Sequence, residues 1–253
     1  MSRKKKSNNG ESLHLNGNGN GNGNGNSNSK SKVKDVNLKT KKPVVISAKT
    51  ENQKKLLKSI KENIVTIVSG YPGSGKTLLA VVSGLREFMM GKYEKMIFTR
   101  PCVEANGESL GFLPGDLNEK IHPYMIPIFD FLSEYLTVQE IDYLVSSQKI
   151  ITLPLAFQRG CTFKNSFVIL DEGQNTKPDQ IRMFLTRIGE NCKIVITGDP
   201  YQSDIKGKNG LMDSITRLEG VNNLGIVYFG KEDILRNPIV AEIEERYEGL
   251  NHN

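Results

Sequence analysis

An α/β domain, with a mostly parallel central sheet and helices on both faces, is the fold class this sequence predicts, and three stretches predict it. Residues 64–69, 167–170 and 194–197 are short apolar or β-branched runs without the alternation of a half-exposed strand, the pattern of strands buried on both faces of a parallel sheet. Each run ends in residues that carry chemistry: a glycine-rich loop, the acids Asp171 and Glu172, and Thr197-Gly198-Asp199 with Gln202. Open parallel sheets bind ligands at the carboxyl ends of their strands, so these three ends are expected along one edge.

The glycine-rich loop is the strongest of the three. Gly70-Tyr71-Pro72-Gly73-Ser74-Gly75-Lys76-Thr77 fits the phosphate-loop pattern G-x-x-x-x-G-K-[ST] with no mismatch. Such a loop turns successive backbone N–H groups toward a nucleotide phosphate, and the helix that follows, read over 78–90 and opened by Leu78, adds its positive end. Lys76 is placed to reach the β and γ phosphates and Thr77 to supply a hydroxyl to Mg²⁺. The implied ligand is ATP or GTP.

The acids complete the pattern. Asp171 is positioned to hold Mg²⁺, directly or through water, and Glu172 to orient and partly deprotonate a water for attack on the γ-phosphate. Gln202 is placed to contact that phosphate or its attacking water. A helix read over 50–62 precedes the loop, and its Gln53 has an amide that can both donate to and accept from adenine, unless it is an ordinary surface glutamine.

Between these signals, a strand at 95–99 stops at Arg100 and Pro101. The segment 102–116, rich in Gly, Pro, Asn and Glu, is too irregular for a plain connection and reads as a functional loop. A helix over 116–135 is expected to be interrupted at Pro123 and Pro127, a surface helix covers 137–147, and 150–153 forms a further strand.

Composition bounds the rest. The chain has 253 residues, 37% hydrophobic and 25% charged, with no tryptophan, enough for one domain of sizeable core with appendages. It has neither an apolar run of membrane-spanning length nor the apolar centre of a signal peptide, so no membrane partner and a cytoplasmic location are expected. Cys102, Cys161 and Cys192 lie far apart, indicating neither a disulfide framework nor a zinc site. The net charge of +6 is concentrated at the N-terminus: residues 1–50 carry eleven Lys and Arg against two Asp and Glu, leaving the remainder at −3. Residues 1–42 are therefore read as a disordered basic leader with an Asn/Gly tether, and 43–253 as the folded domain. The leader's lysines either hold RNA or DNA through phosphates or are simply solvated.

Taken together these residues resemble the PhoH family of P-loop ATPases. The resemblance rests on 70–77, on Thr99-Arg100-Pro101 with Glu104, Gly107 and Glu108, on Leu110-Gly111-Phe112-Leu113-Pro114-Gly115-Asp116, on Pro154-Leu155-Ala156-Phe157, on Asp171-Glu172 with Gln174 and Asn175, and on Thr197-Gly198-Asp199 with Gln202. It spans about residues 50–249. It implies a RecA-like core similar to the first motor domain of superfamily 1 helicases, with the strand ending at Thr197 between the phosphate-loop strand and the Asp171 strand. It also implies that Gln53 reads adenine, that Gln202 senses the γ-phosphate, that Arg236 acts as an arginine finger, and that the chain assembles into a homo-oligomer, a hexameric ring. ATP hydrolysis with Mg²⁺, coupled to remodelling of single-stranded RNA or DNA, is the activity it implies.

The sequence departs from the family pattern at Gly173, usually alanine, at Cys161, usually arginine, and at Asn237, frequently histidine. No stretch corresponds to the nuclease-like PIN domain of some relatives, so ribonuclease activity is not expected. Two other classes remain open: a nucleotide-stabilised RNA-binding scaffold without turnover, and a P-loop small-molecule kinase. Glu172 directly after Asp171 favours water over an organic acceptor.

Overall fold

The computed structural model of the chain describes residues 38, 40–101, 117–205, 207–235, 239, 242, 243 and 246. The chain divides into two units, Met1–Asn37 and Leu38–Asn253, and every element below belongs to the second. Among the described residues six strands, β1 (Val65–Gly70), β2 (Lys95–Arg100), β3 (Ile150–Pro154), β4 (Ser166–Leu170), β5 (Cys192–Gly198) and β6 (Leu224–Phe229), form one sheet in the order β3-β2-β4-β5-β1-β6. All five pairings are parallel. Strand β5 lies between β1 and β4, the arrangement expected of a RecA-like core, and the predicted α/β class is the observed one.

The sheet is flanked by helices α1 (Glu51–Glu62), α2 (Lys76–Met89), α3 (Leu117–Ser133), α4 (Val138–Ser146), α5 (Pro178–Leu185) and α6 (Gly210–Leu218). Two apolar layers follow from the two faces of the strands. Val68, Phe98, Phe167, Ile169 and Val195 pack with Leu56, Leu79, Leu85, Ile128 and Leu144 of helices α1 to α4. Their chain neighbours Ile67, Ile97, Val168, Ile194 and Ile196 pack with Ile181, Phe184, Leu211 and Ile215 of α5 and α6. Strands buried on both faces need apolar residues at consecutive positions, which is why these runs do not alternate.

Local signals set the helix ends. Thr50 caps α1 by accepting from the Gln53 backbone N–H, and Thr137 with Glu140 forms a capping box on α4. Helix α3 corrects one expectation: it runs unbroken through Pro123 and Pro127. Each proline removes one backbone donor, but Met125, Ile128 and Leu132 are buried against the core, and that packing holds the helix together.

Leu38 packs against the first apolar layer, while the Lys41 N–H donates to the Tyr135 carbonyl at 2.7 Å and its ammonium to the Ser133 carbonyl at 2.8 Å. Among the described residues no helix is long and apolar enough to cross a membrane.

Candidate nucleotide site

Strand β1 delivers the glycine-rich loop at its carboxyl end. Gly70 has φ 152°, and a Cβ there would lie 2.3 Å from the Phe229 carbonyl oxygen, so β6 approaches too closely for any other residue. Gly75, in left-handed conformation, precedes α2 and offers no side-chain cap. The positive end of that helix is therefore not capped by a side chain, and such ends attract anions. Lys76 folds back over the loop, donating from Nζ to the carbonyls of Gly70 at 2.7 Å and Tyr71 at 2.6 Å. Ser74 Oγ closes the same turn onto the Tyr71 carbonyl at 2.6 Å.

Strand β4 ends just before Asp171, which is 2% exposed. Oδ1 accepts from the Thr77 hydroxyl at 2.8 Å and from the Thr197 hydroxyl at the end of β5. Oδ2 is held by the Arg100 guanidinium, through Nε at 3.0 Å and through Nη2. The register explains the convergence: Thr99 pairs with Leu170 and Leu170 with Ile196, so Arg100, Asp171 and Thr197 leave neighbouring strand ends. Arg100 is the residue that sequence reasoning passed over as a strand terminator.

Glu172 follows in the left-handed region, φ 57° and ψ 40°, a conformation uncommon for glutamate and frequent at functional sites. Its Oε2 accepts from Gln174 Nε2 at 2.6 Å. Gly173 is explained by packing, because a Cβ there would lie 2.9 Å from Ile196 Cγ2. Asp199 is 5% exposed, and its Oδ1 accepts from the Tyr201 N–H at 3.0 Å. Gln202 is exposed on the same turn.

A cleft of about 440 Å³ brings several of the predicted residues together: Lys76, Thr77, Asp171, Glu172 and Gln202 line it, joined by Arg100, whereas Gln53, Gly70, Tyr71 and Ser74 are not among its lining residues. Pro72, Gly73, Gly75 and Leu78 line it as well, while Pro127 and Phe131 of α3 form an apolar wall. Tyr71, the chain neighbour of the cleft-lining Pro72, is stacked on Tyr201 with ring centroids 5.9 Å apart. A larger hollow of about 630 Å³ between α5 and α6 has no such convergence; its Asp213 is bonded to Lys208 and Arg217.

Gln53 is a buried residue, 2% exposed, and not a surface one. Its Nε2 donates to the Ser74 carbonyl at 3.0 Å and its Oε1 accepts from the Lys49 N–H at 2.7 Å. These two contacts engage one of the amide protons and one of the carbonyl lone pairs, and Gln53 is not among the residues that line the cleft. Next to it, buried Asp233 accepts from the Thr50 hydroxyl, from Asn52 Nδ2 at 2.8 Å and from the Gly230 N–H at 2.8 Å. The Leu235 N–H then donates to the Gly73 carbonyl at 3.2 Å. The turn after β6 is thus tied to both α1 and the phosphate loop. Arg236, Glu104, Gly107, Glu108 and the stretch 110–116 lie outside the described residues.

The oxygens of Thr77 and Asp171 adjoin, as a hard divalent cation requires. Among the described residues no group of three or more His, Cys, Asp or Glu side chains forms a complete metal cage. That donor set fits Mg²⁺, which keeps several waters and takes further ligands from nucleotide phosphates.

The chain is 42% identical over 217 residues to the PhoH-like protein of Synechocystis sp. (strain ATCC 27184 / PCC 6803 / Kazusa), covering 85% of this chain and 66% of that protein. It is 43% identical over 208 residues to the PhoH-like protein of Bacillus subtilis (strain 168), covering 81% of this chain and 65% of that one. The chain thus spans just under two thirds of the length of these relatives. Among solved structures, the large terminase from a thermophilic bacteriophage aligns with 80% of this chain and 50% of its own, at a TM-score of 0.46 and 14% identity. The profile of the family described as PhoH-like protein matches residues 45–248, and with the P-loop nucleotide-binding geometry above the chain belongs to the PhoH family.

Proposed function

We propose that the cleft is a Mg²⁺-dependent ATPase centre and that its turnover drives work on single-stranded RNA or DNA. The observation that carries the reading is the meeting of Thr77 and Asp171 across 94 residues of chain, at 2.8 Å, in one cleft with Lys76 and Glu172. Lys76 and the amides of the phosphate loop neutralise the β and γ phosphates. Thr77 and Asp171 would hold Mg²⁺, which would supply charge neutralisation to the nucleotide phosphates. Glu172 orients a water and accepts its proton, and Gln202 contacts the γ-phosphate. Gln53 reads adenine with its remaining amide proton and lone pair.

Arg236 acts as the arginine finger in this reading, and a finger supplied by a neighbouring subunit is commonly worth about 10³ to 10⁵ in rate. Assembly into a hexameric ring would bring it there, which the family resemblance supports. Tyr201, the chain neighbour of the cleft-lining Gln202, is 77% solvent-accessible, which supports a nucleic-acid partner beside the nucleotide.

The test is phosphate release from ATP and Mg²⁺ with no acceptor present, with and without single-stranded RNA, on wild type and Arg236→Ala, each alongside a sizing measurement. The reading requires turnover by wild type, stimulation by RNA, and loss in Arg236→Ala with the assembly intact. Phosphate transfer only when a small-molecule acceptor is added would instead identify a kinase.

A further inference from the structure

We propose that Gln174 is the positioning residue of this centre, holding the Glu172 carboxylate in place and tying it to the γ-phosphate side of the cleft. The inference rests on the ATPase reading and deepens it. Gln174 is 2% exposed, and its amide makes contacts in three directions. Nε2 donates to Glu172 Oε2 at 2.6 Å and to the Gln202 carbonyl at 3.3 Å. Oε1 accepts from the Asp199 N–H at 3.1 Å. The partners fix the orientation of the amide, since a carboxylate only accepts and a backbone N–H only donates.

The surrounding chain is shaped to admit this side chain. A Cβ on Gly198 would lie 2.6 Å from Gln174 Oε1 and 2.8 Å from Leu211 Cδ2, so β5 ends in the residue that leaves room for the amide. Ser203 Oγ donates to the Gln174 carbonyl at 3.1 Å, binding the same turn from the other side. Glu172 itself stands in a left-handed conformation ahead of a short 3-10 turn, Gly173–Asn175.

The charges around Glu172 explain why such a residue is needed. Lys76, Arg100, Asp171 and Asp199 line the same cleft. A glutamate released from Gln174 would turn toward Lys76 or Arg100, and a base paired with a cation no longer faces a water. Because one amide holds both the Glu172 carboxylate and the Gln202 carbonyl, a shift of Gln202 on meeting a γ-phosphate is passed to the base through two hydrogen bonds.

The experiment compares wild type, Gln174→Met, Glu172→Gln and the double variant in the full chain, reading kcat for phosphate release and, separately, equilibrium ATP affinity. Gln174→Met keeps the side-chain length and removes both hydrogen-bonding functions. It is expected to lower kcat by about 10- to 100-fold, to leave ATP affinity within about threefold, and to add nothing to Glu172→Gln. Gly198→Ala, which presses on the amide without removing it, is expected to show the same selective loss, and it serves if Gln174→Met does not fold. An unchanged kcat, a loss of ATP affinity in step with kcat, or full multiplication of the Gln174→Met and Glu172→Gln effects would overturn the positioning role. Wild type without turnover would overturn the ATPase reading itself, and this inference with it.

Discussion

Arg100 donates from Nε to Asp171 Oδ2 at 3.0 Å, with Nη2 on the same oxygen, while the two threonine hydroxyls occupy Oδ1. The pair is largely buried, with the arginine side chain 14% and the aspartate 3% exposed. Removing one partner of a buried pair leaves an uncompensated charge. Arg100→Ala is therefore expected to cost about 3 kcal/mol of stability, seen as a lowered Tm. Millimolar Mg²⁺ should recover more of that loss than it adds to wild type, because a cation then replaces the guanidinium beside Asp171. Equal shifts with Mg²⁺ in both proteins would show that Asp171 does not face the metal position.

Gly70→Ala tests the phosphate loop without touching a charged group. The left-handed φ and the 2.3 Å approach of the Phe229 carbonyl both oppose a side chain there. The expected cost is about 2–4 kcal/mol, with nucleotide binding lost in whatever fraction folds. Chemical denaturation and ATP binding on the same preparation check both.

Lys193 offers a test by pH. Its ammonium, buried within β5, donates to the carbonyls of Ile60, of Lys61 at 3.3 Å and of Asn63 at 2.7 Å, closing the carboxyl end of α1. Burial pushes its pKa below the ordinary lysine value, against the opposing pull of Glu87. The unfolded chain then binds more protons than the folded one between the lowered pKa and the ordinary one, so this residue's contribution makes stability rise with pH across that window. Lys193→Met should remove that rise and, by orphaning the carbonyls, lower stability by about 1–3 kcal/mol. Tyr93, pushed up to about 12 mainly by burial, contributes the opposite slope above its ordinary value of 10.0 in both proteins. The difference between their unfolding free energies isolates Lys193.

Tyr201 provides a reporter. The chain contains no tryptophan, and Tyr201 is 77% exposed while stacked on Tyr71 of the phosphate loop. Tyr201→Trp should leave stability within about 0.5 kcal/mol, as surface changes do, and give a single emission that shifts when ATP reorders the loop. An emission indifferent to saturating ATP would mean that the loop and the β5 turn do not move together.

The parts of the fold legible in the sequence were those where one requirement dominated. Strands β1, β4 and β5 needed apolar residues on both faces, and the phosphate loop needed its glycines and lysine in fixed order, so both could be read directly. Strand β6 could not: it is an edge strand with Tyr228 57% exposed, and only its pairing with β1 identifies it. Helices α5 and α6 are short, and their apolar residues acquire meaning only against the second face of the sheet. Lys193 runs against the buried-strand pattern and is tolerated because α1 ends within reach of its ammonium. The roles of Arg100 and Gln174 depend on which strand ends lie side by side, a fact that strand order supplies and residue spacing does not.

The most direct measurement of the central claim compares Lys76→Ala and Glu172→Gln for ATP binding and for phosphate release. Glu172→Gln is expected to bind ATP with Mg²⁺ as tightly as wild type but to release phosphate at least about 100-fold more slowly, whereas Lys76→Ala loses binding and release together. Phosphate release from Glu172→Gln at the wild-type rate would contradict it.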